Sequence, residues 1–321
     1  MGKYSGNSNR SFNTLKHSKR VERSNRKQNS KYLILGICIV IIAIVLALAV
    51  FLVMAIAHSE SPKSPKKDDK AQEISYKETT IASDALYTGD LLLVNGQHRY
   101  RFLEEGELVS ASSVTTPGCV KNSSIKANAT ALRAFNEMMQ KYVEVETSGS
   151  SDVQLTEAYR TEEQQKGKQF EPGYSDHHTG RLLRIERKGD DVEGLSPDNW
   201  LYQNCYKYGF VVRYPADKSA QTGVSGYTYA FRYVGVAHAT YMQKHNLCME
   251  EYVVLLQNSY ASGDLLRIDA ADGNTYAVYC LRNVEANATI SLPSNFPFVA
   301  SGDNAGNYIV TVNLGKTPAE E

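Results

Sequence analysis

"SDHHTGRLLRIER", Ser175 to Arg187, is the stretch on which the reading of this chain turns. It sets a histidine two places after a serine and a glycine three places further, then runs into an apolar, strand-like segment. A loop that offers one imidazole to a metal and passes into a strand has this form. Such an arm closes on a carboxylate, a second oxygen or nitrogen donor for the ion. Four residues past the glycine, where that donor is due, the chain has Arg184.

The surroundings repeat the pattern of a motif kept and a donor replaced. Upstream lies "EAYRTEEQQ", Glu157 to Gln165, and downstream "YGFVVRYP" (from Tyr208) and "YTYAFRYVG" (from Tyr227). With "LLLVNGQH" from Leu91 and "ASGDNAGNYIVTV" from Ala300, the set resembles the VanY-type D-alanyl-D-alanine carboxypeptidases. Those are zinc enzymes that trim the D-Ala-D-Ala end of peptidoglycan stem peptides. The resemblance covers roughly Asp90 to Val312.

What the resemblance implies can be written residue by residue. The family's first arm runs Ser-x-His-x-x-Gly-x-x-x-Asp, with histidine and aspartate on the zinc; here these positions hold Ser175, His177, Gly180 and Arg184. Its second arm, Glu-Pro-Trp-His-x-Arg-Tyr-Val-Gly, supplies the general base and the third ligand. Tyr227 stands at the base and Ala230 at the histidine, directly before Arg232, Tyr233, Val234 and Gly235. His177 is thus the one remnant of the metal site. Two unit charges about 4 Å apart interact by roughly 4 kcal/mol at an effective dielectric near 20, so a guanidinium in a ligand's place works against a cation. Arginine does not deprotonate to escape this. Asp176 and His178 offer no substitute set if the arm is extended, because adjacent side chains then point to opposite faces.

The resemblance further implies that Arg160 faces the substrate, with Gln164 or Gln165 near it. Arg160, Gln164, Ser175 and Arg184 then make up a substrate site, the two arginines gripping a carboxylate. The plainer alternative is that Arg184 pairs with a local acid such as Glu186 or Asp190, and that Tyr227 and Tyr229 are packing residues. The function this favours is a wall-peptide-binding or scaffolding protein that has lost catalysis, with no cofactor. One alternative is an active D,D-carboxypeptidase using zinc in an unconventional site. The other is a cell-envelope interaction domain with a vestigial pocket.

Outside the motifs, the chain divides by composition. Residues 1–31 hold nine Lys or Arg and one acid, Glu22. Residues 32–57, "YLILGICIVIIAIVLALAVFLVMAIA", carry no charge and as a helix would extend roughly 39 Å, enough to cross a bilayer core of about 30 Å. A cleavable signal with a site after Ala57 is the alternative, but its apolar core would be about half as long. The basic flank places the N-terminus in the cytoplasm and the rest outside. That remainder has 26 basic and 34 acidic residues, a balance of −8 that speaks against nucleic acid as a partner. Peptidoglycan peptides, envelope proteins and, through one helix, the membrane are the partners expected.

Residues 58–83, rich in Ser, Lys, Asp and Pro, read as a flexible linker. One α+β domain is expected over residues 84–315, with a small, mainly antiparallel sheet and flanking helices, then a tail at 316–321. Its first strand is expected from Asp90. "NATALRAFNEMMQKYVEV" repeats apolar residues at helical spacing behind a cap at Asn128. Thr161 and Gln164 form a capping-box start, and Gly209 closes a helix that begins near Asp198. The C-terminal part alternates like a β-meander. Cys119, Cys205, Cys248 and Cys280 fit buried thiols as well as one or two disulfides.

Overall fold

The site sits on a four-stranded antiparallel sheet, in the order β4-β5-β7-β6. Its strands are β4 (Val153–Glu157), β5 (Leu182–Arg187), β6 (Phe210–Tyr214) and β7 (Tyr227–Tyr233). The computed structural model describes residues 73–103, 108–188, 195–261 and 263–316. The membrane span read at 32–57 and the basic tail before it lie outside the described residues. Among the described residues, no helix is long and apolar enough to cross a membrane.

One face of this sheet is covered by helix α1 (Ala129–Glu146). Asn128 caps it, its Oδ1 accepting from the backbone N–H of Thr130 at 3.1 Å and Ala131 at 3.2 Å. Leu132, Phe135, Met139 and Tyr142 recur every three or four residues, so the helix offers one continuous apolar stripe. That stripe packs with Leu155, Leu183, Ile185 and Phe231 of the sheet in one buried cluster. The short α2 (Glu162–Gln165) follows β4, and α3 (Trp200–Asn204) runs into a 3-10 turn that ends at Gly209. Gly209 has φ 81°, the left-handed closure expected there.

A second four-stranded sheet, in the order β11-β12-β9-β8, is built from the C-terminal meander. It comprises β8 (Leu266–Asp269), β9 (Asn274–Leu281), β11 (Phe298–Gly302) and β12 (Tyr308–Lys316). The short α4 (Ser219–Thr222) lies between β6 and β7, and α5 (Val236–His245) and α6 (Met249–Ser259) come between the two sheets in the chain. Tyr252, Leu256, Val278, Cys280 and Ile309 share a second apolar cluster. Two further pairs complete the strands: β2 (Leu108–Ser110) with β3 (Lys126–Asn128), and β1 (Tyr76–Thr80) with β10 (Thr289–Pro293). Every ladder between these strands is antiparallel. The α+β class holds, with two sheets of equal strand number where one small sheet was expected. Cys119, Cys205, Cys248 and Cys280 are buried free thiols.

Two expectations are corrected. The stretch read as linker to residue 83 contains β1, Tyr76–Thr80. β1 has every residue exposed, so no apolar alternation announced it; its partner β10 supplies the order. The run from Asp90 is not a ladder strand. Leu91, Leu92, Leu93 and Val94 are all buried. Their backbone bonds go largely to side chains: Leu91 N–H donates to Ser301 Oγ, while the carbonyls of Leu92 and Leu93 accept from Arg232 and Asn304. An extended segment buried on both faces meets its hydrogen-bonding need this way without joining a sheet.

Candidate functional site

Strand register brings the two arms together. Glu157 on β4 pairs with Arg184 on β5, and Arg184 pairs with Ala230 on β7. Directly opposed residues share a face of the sheet, so these three form one row across three strands. The histidine arm arrives from the side as a 3-10 turn, Asp176–Thr179. Gly180 ends that turn at φ 65° and its ideal Cβ would lie 2.8 Å from Leu108 Cδ2 and 3.1 Å from the backbone N of Asn128. The glycine of the motif is therefore needed twice, for its left-handed backbone and for the approach of β3.

His177 is buried, and its Nδ1 donates to the carbonyl of Ala158 at 2.6 Å. Burial first, and then the neighbouring Arg160 charge, push its pKa down to about 4, so the ring is neutral with Nε2 as its lone-pair nitrogen. Glu157 is held below the ordinary carboxylate range. Burial opposes this, but the hydrogen bond and charge of Arg160 and the bond from Arg184 outweigh it.

The two arginines converge on that one carboxylate. Arg160 Nη2 and Arg184 Nη1 both donate to Glu157 Oε2, the latter at 3.2 Å. Their remaining terminal nitrogens are also engaged: Arg160 Nη1 with Gln165 Oε1 at 3.1 Å, and Arg184 Nη2 with Glu186 Oε1 at 2.7 Å. The Nε atoms of both are buried without a hydrogen-bond partner. Arg184 also lies 5.8 Å over the ring of Tyr227. Burial raises the Tyr227 phenol above its ordinary value, so the phenol keeps its proton near neutrality and is no base.

Several expected site residues take other places. Gln164 is spent on its own helix, its Oε1 accepting from Thr161 N–H at 2.9 Å; the glutamine beside Arg160 is the buried Gln165. Ser175 is buried, its carbonyl accepting from His178 N–H. Asp176 and His178 sit on a turn and not on an extended arm, so their exclusion as ligands has a different cause. His178 is bonded on both ring nitrogens, to Arg160 O at 2.7 Å and Gly173 N at 3.0 Å. Asp176 is locked between two fully buried arginines, Arg213 at 2.7 Å and Arg232 at 2.9 Å, with Glu250 on the far side of Arg213.

A cleft of about 490 Å³ opens beside this row, lined by Glu157, Arg160, Thr161, Gln164, Lys126 and Lys168 among others. Arg184 is not among its lining residues. The sequence reading missed Glu157 as the centre of the site. The available signal was an acid three residues before the arginine of the Tyr-Arg motif.

A family model described as "D-alanyl-D-alanine carboxypeptidase", VanY, matches residues 124–236, which hold both arms. A D-alanyl-D-alanine carboxypeptidase of Enterococcus faecium is 28% identical over 273 residues, 81% of this chain and 86% of the relative. The bifunctional D-Ala-D-Ala dipeptidase and D-Ala-D-Ala carboxypeptidase VanXYC of Enterococcus gallinarum is 31% identical over 130 residues, 33% of this chain and 68% of that one. The chain belongs to the VanY family. Among solved structures, the vancomycin-resistance D,D-dipeptidase VanXYg in complex with a D-Ala-D-Ala phosphinate analog superposes with a TM-score of 0.64 at 22% identity. That match covers 74% of this chain and 99% of VanXYg, and it places this domain in the same fold.

VanY membership raises the question of zinc, and the side chains present answer on chemistry. At the positions the motif assigns to ligands, His177 offers one nitrogen, Ala230 has no donor, and Arg184 brings a cation paired with Glu157 and Glu186. Glu157 is already bound by two guanidinium groups. Among the described residues, no three His, Cys, Asp or Glu side chains are grouped to hold a metal. This set does not fit a VanY zinc centre, which takes three protein ligands and an open position.

Proposed function

We propose that this chain is a membrane-anchored, extracytoplasmic VanY-family protein that binds or scaffolds peptidoglycan stem peptides without hydrolysing them. Residues 32–57 are its single span, with 1–31 in the cytoplasm and the folded unit outside. The observation that carries the reading is the row Glu157–Arg184–Ala230, in which an ion pair stands where the family's arms bring two ligands together. What remains is carboxylate-binding chemistry, with Arg160 on the cleft wall as the group that meets the peptide's C-terminus.

A vestigial pocket on an envelope-interaction domain is the second reading. It is favoured by the fact that Glu157 already holds both guanidinium groups. An active metalloenzyme is the third, and zinc content decides it. The full chain, purified in mild detergent and dialysed against trace-metal buffer, is expected to hold far less than one zinc per chain. A stoichiometry near one, lost in His177→Ala, would overturn the inactive reading and call for ligands outside the motif positions. D-Ala-D-Ala is expected to bind in calorimetry, and Arg160→Ala to abolish binding while leaving the thermal midpoint near that of the parent.

A further inference from the structure

We infer that Glu157 is a built-in competitor for the ligand's carboxylate, holding Arg160 closed until a peptide C-terminus displaces it. This rests on the binding reading above. An arginine that recognises a carboxylate presents two parallel N–H groups, and a planar fork is used once. Here the forks of Arg160 and Arg184 are taken by Glu157, Gln165 and Glu186. Each guanidinium has five N–H groups, of which these bonds use two, one on each terminal nitrogen. The Nε atoms of both are shut away from solvent, so a two-pronged grip through Nε is closed. A ligand carboxylate that grips both terminal nitrogens of Arg160 therefore competes with the carboxylate already on Nη2. Of the two acids, Glu157 is the one that lines the cleft.

Glu157 is also placed to leave. The ladder shifts register between Leu155 and Glu157, so the residue stands at the irregular end of its strand. Its side chain is 27% exposed, against 14% for Arg160. Lys168, a cleft residue whose side chain is 47% exposed, has Nζ 3.8 Å from Glu157 Oε1 on the solvent side. A displaced Glu157 exchanges two buried guanidinium groups for that ammonium and keeps a counter-charge. Gln165 Oε1 stays on Arg160 throughout, which fixes the fork for the incoming carboxylate.

Glu157→Gln keeps the shape and removes the competing charge. In calorimetry on the full chain it is expected to bind D-Ala-D-Ala about tenfold more tightly than the parent, the equivalent of one charge-assisted hydrogen bond. The C-terminal amide of the same dipeptide should gain nothing. Parent binding without a gain in Glu157→Gln would overturn the competitor and leave the binding reading intact. Binding by neither protein, both folded by circular dichroism, would overturn both and favour the vestigial pocket. Should Glu157→Gln not fold, Glu157→Ala with sodium acetate serves instead. Its thermal midpoint is expected to rise with acetate, beyond the rise in sodium chloride and beyond that of the parent. Equal responses to the two salts would overturn the inference.

Discussion

Asp176→Ala is expected to cost at least 3–5 kcal/mol of stability, the range found when one partner of a buried ion pair is removed. That is a large part of the roughly 5–15 kcal/mol a domain has in total, so the urea midpoint should fall steeply. The side chains of Asp176, Arg213 and Arg232 are all fully shielded from solvent. Burial works against the Asp176 carboxylate, and the charges of Arg232 and Arg213 outweigh it, holding its pKa below the ordinary range. The two arginines fare differently once it is gone. Arg213 keeps a two-pronged bond to Glu250, at 3.0 and 2.8 Å. Arg232 keeps the carbonyls of Leu92 and Tyr233, so it retains hydrogen bonds but loses its ion-paired carboxylate. The cost is therefore that of a guanidinium stranded in the core, and the extended run at Leu91–Val94 should loosen with it. Urea titration followed by the fluorescence of Trp200, the chain's one tryptophan, measures the loss. A change below about 1 kcal/mol would mean that water reaches this network and that it is not a structural core.

How much of this was legible follows from how far each feature reaches along the chain. Helix α1 announced itself through Asn128 and the spacing of Leu132, Phe135 and Met139, because a cap and a stripe are local. The box of Thr161 and Gln164 and the closure at Gly209 were legible for the same reason. That box engages the Oε1 of Gln164, while the residue still lines the cleft. Family motifs put Arg184 opposite Ala230 in effect, since both arms feed adjacent strands. The role of Glu157 was not legible, because its meeting with Arg184 depends on a register shift in β4 that no residue type signals. Nor was the Asp176 network, whose members lie 37 and 56 residues from Asp176 in the chain. The arginines of "FVVRYP" and "YAFRYVG" read as strand residues flanked by apolar neighbours, a pattern equally suited to a solvent-facing side chain. β1 and the Leu91 run fail for a related reason: what orders them is supplied by residues some 210 positions away.

Acid should unfold this protein well above the range where its carboxylates take up protons. His238 is fully shielded, with Nδ1 2.8 Å from Tyr252 Oη and Nε2 2.9 Å from Thr311 Oγ1, and burial lowers its pKa to about 4. His177 is lowered to a similar value, again by burial first. Both rings are neutral in the fold and ordinary once the chain opens, so between pH 6.5 and 4 the unfolded state binds more protons. Stability rises with pH wherever that holds. It should be full above about pH 7, fall through this window, and lose nothing more from the histidines below it. Each ring contributes on the order of 3 kcal/mol if its shift is complete. Glu157, Asp176 and Glu250 also have lowered values, so their contribution is lost only at lower pH still, as each is protonated in the fold. The two windows are separable by mutation. His238→Gln can keep one hydrogen bond to each of Tyr252 and Thr311 and cannot take up a proton. It should remove about half of the decline in urea-derived stability between pH 7 and 4.5, at some constant cost at all pH values. A stability that stays flat from pH 7 to 4.5 in the parent would mean that both histidines are reached by water and titrate normally. A decline untouched by His238→Gln would assign it to His177 and His178, whose values burial also lowers; at His177 an added proton sets a third cation against the arginine pair.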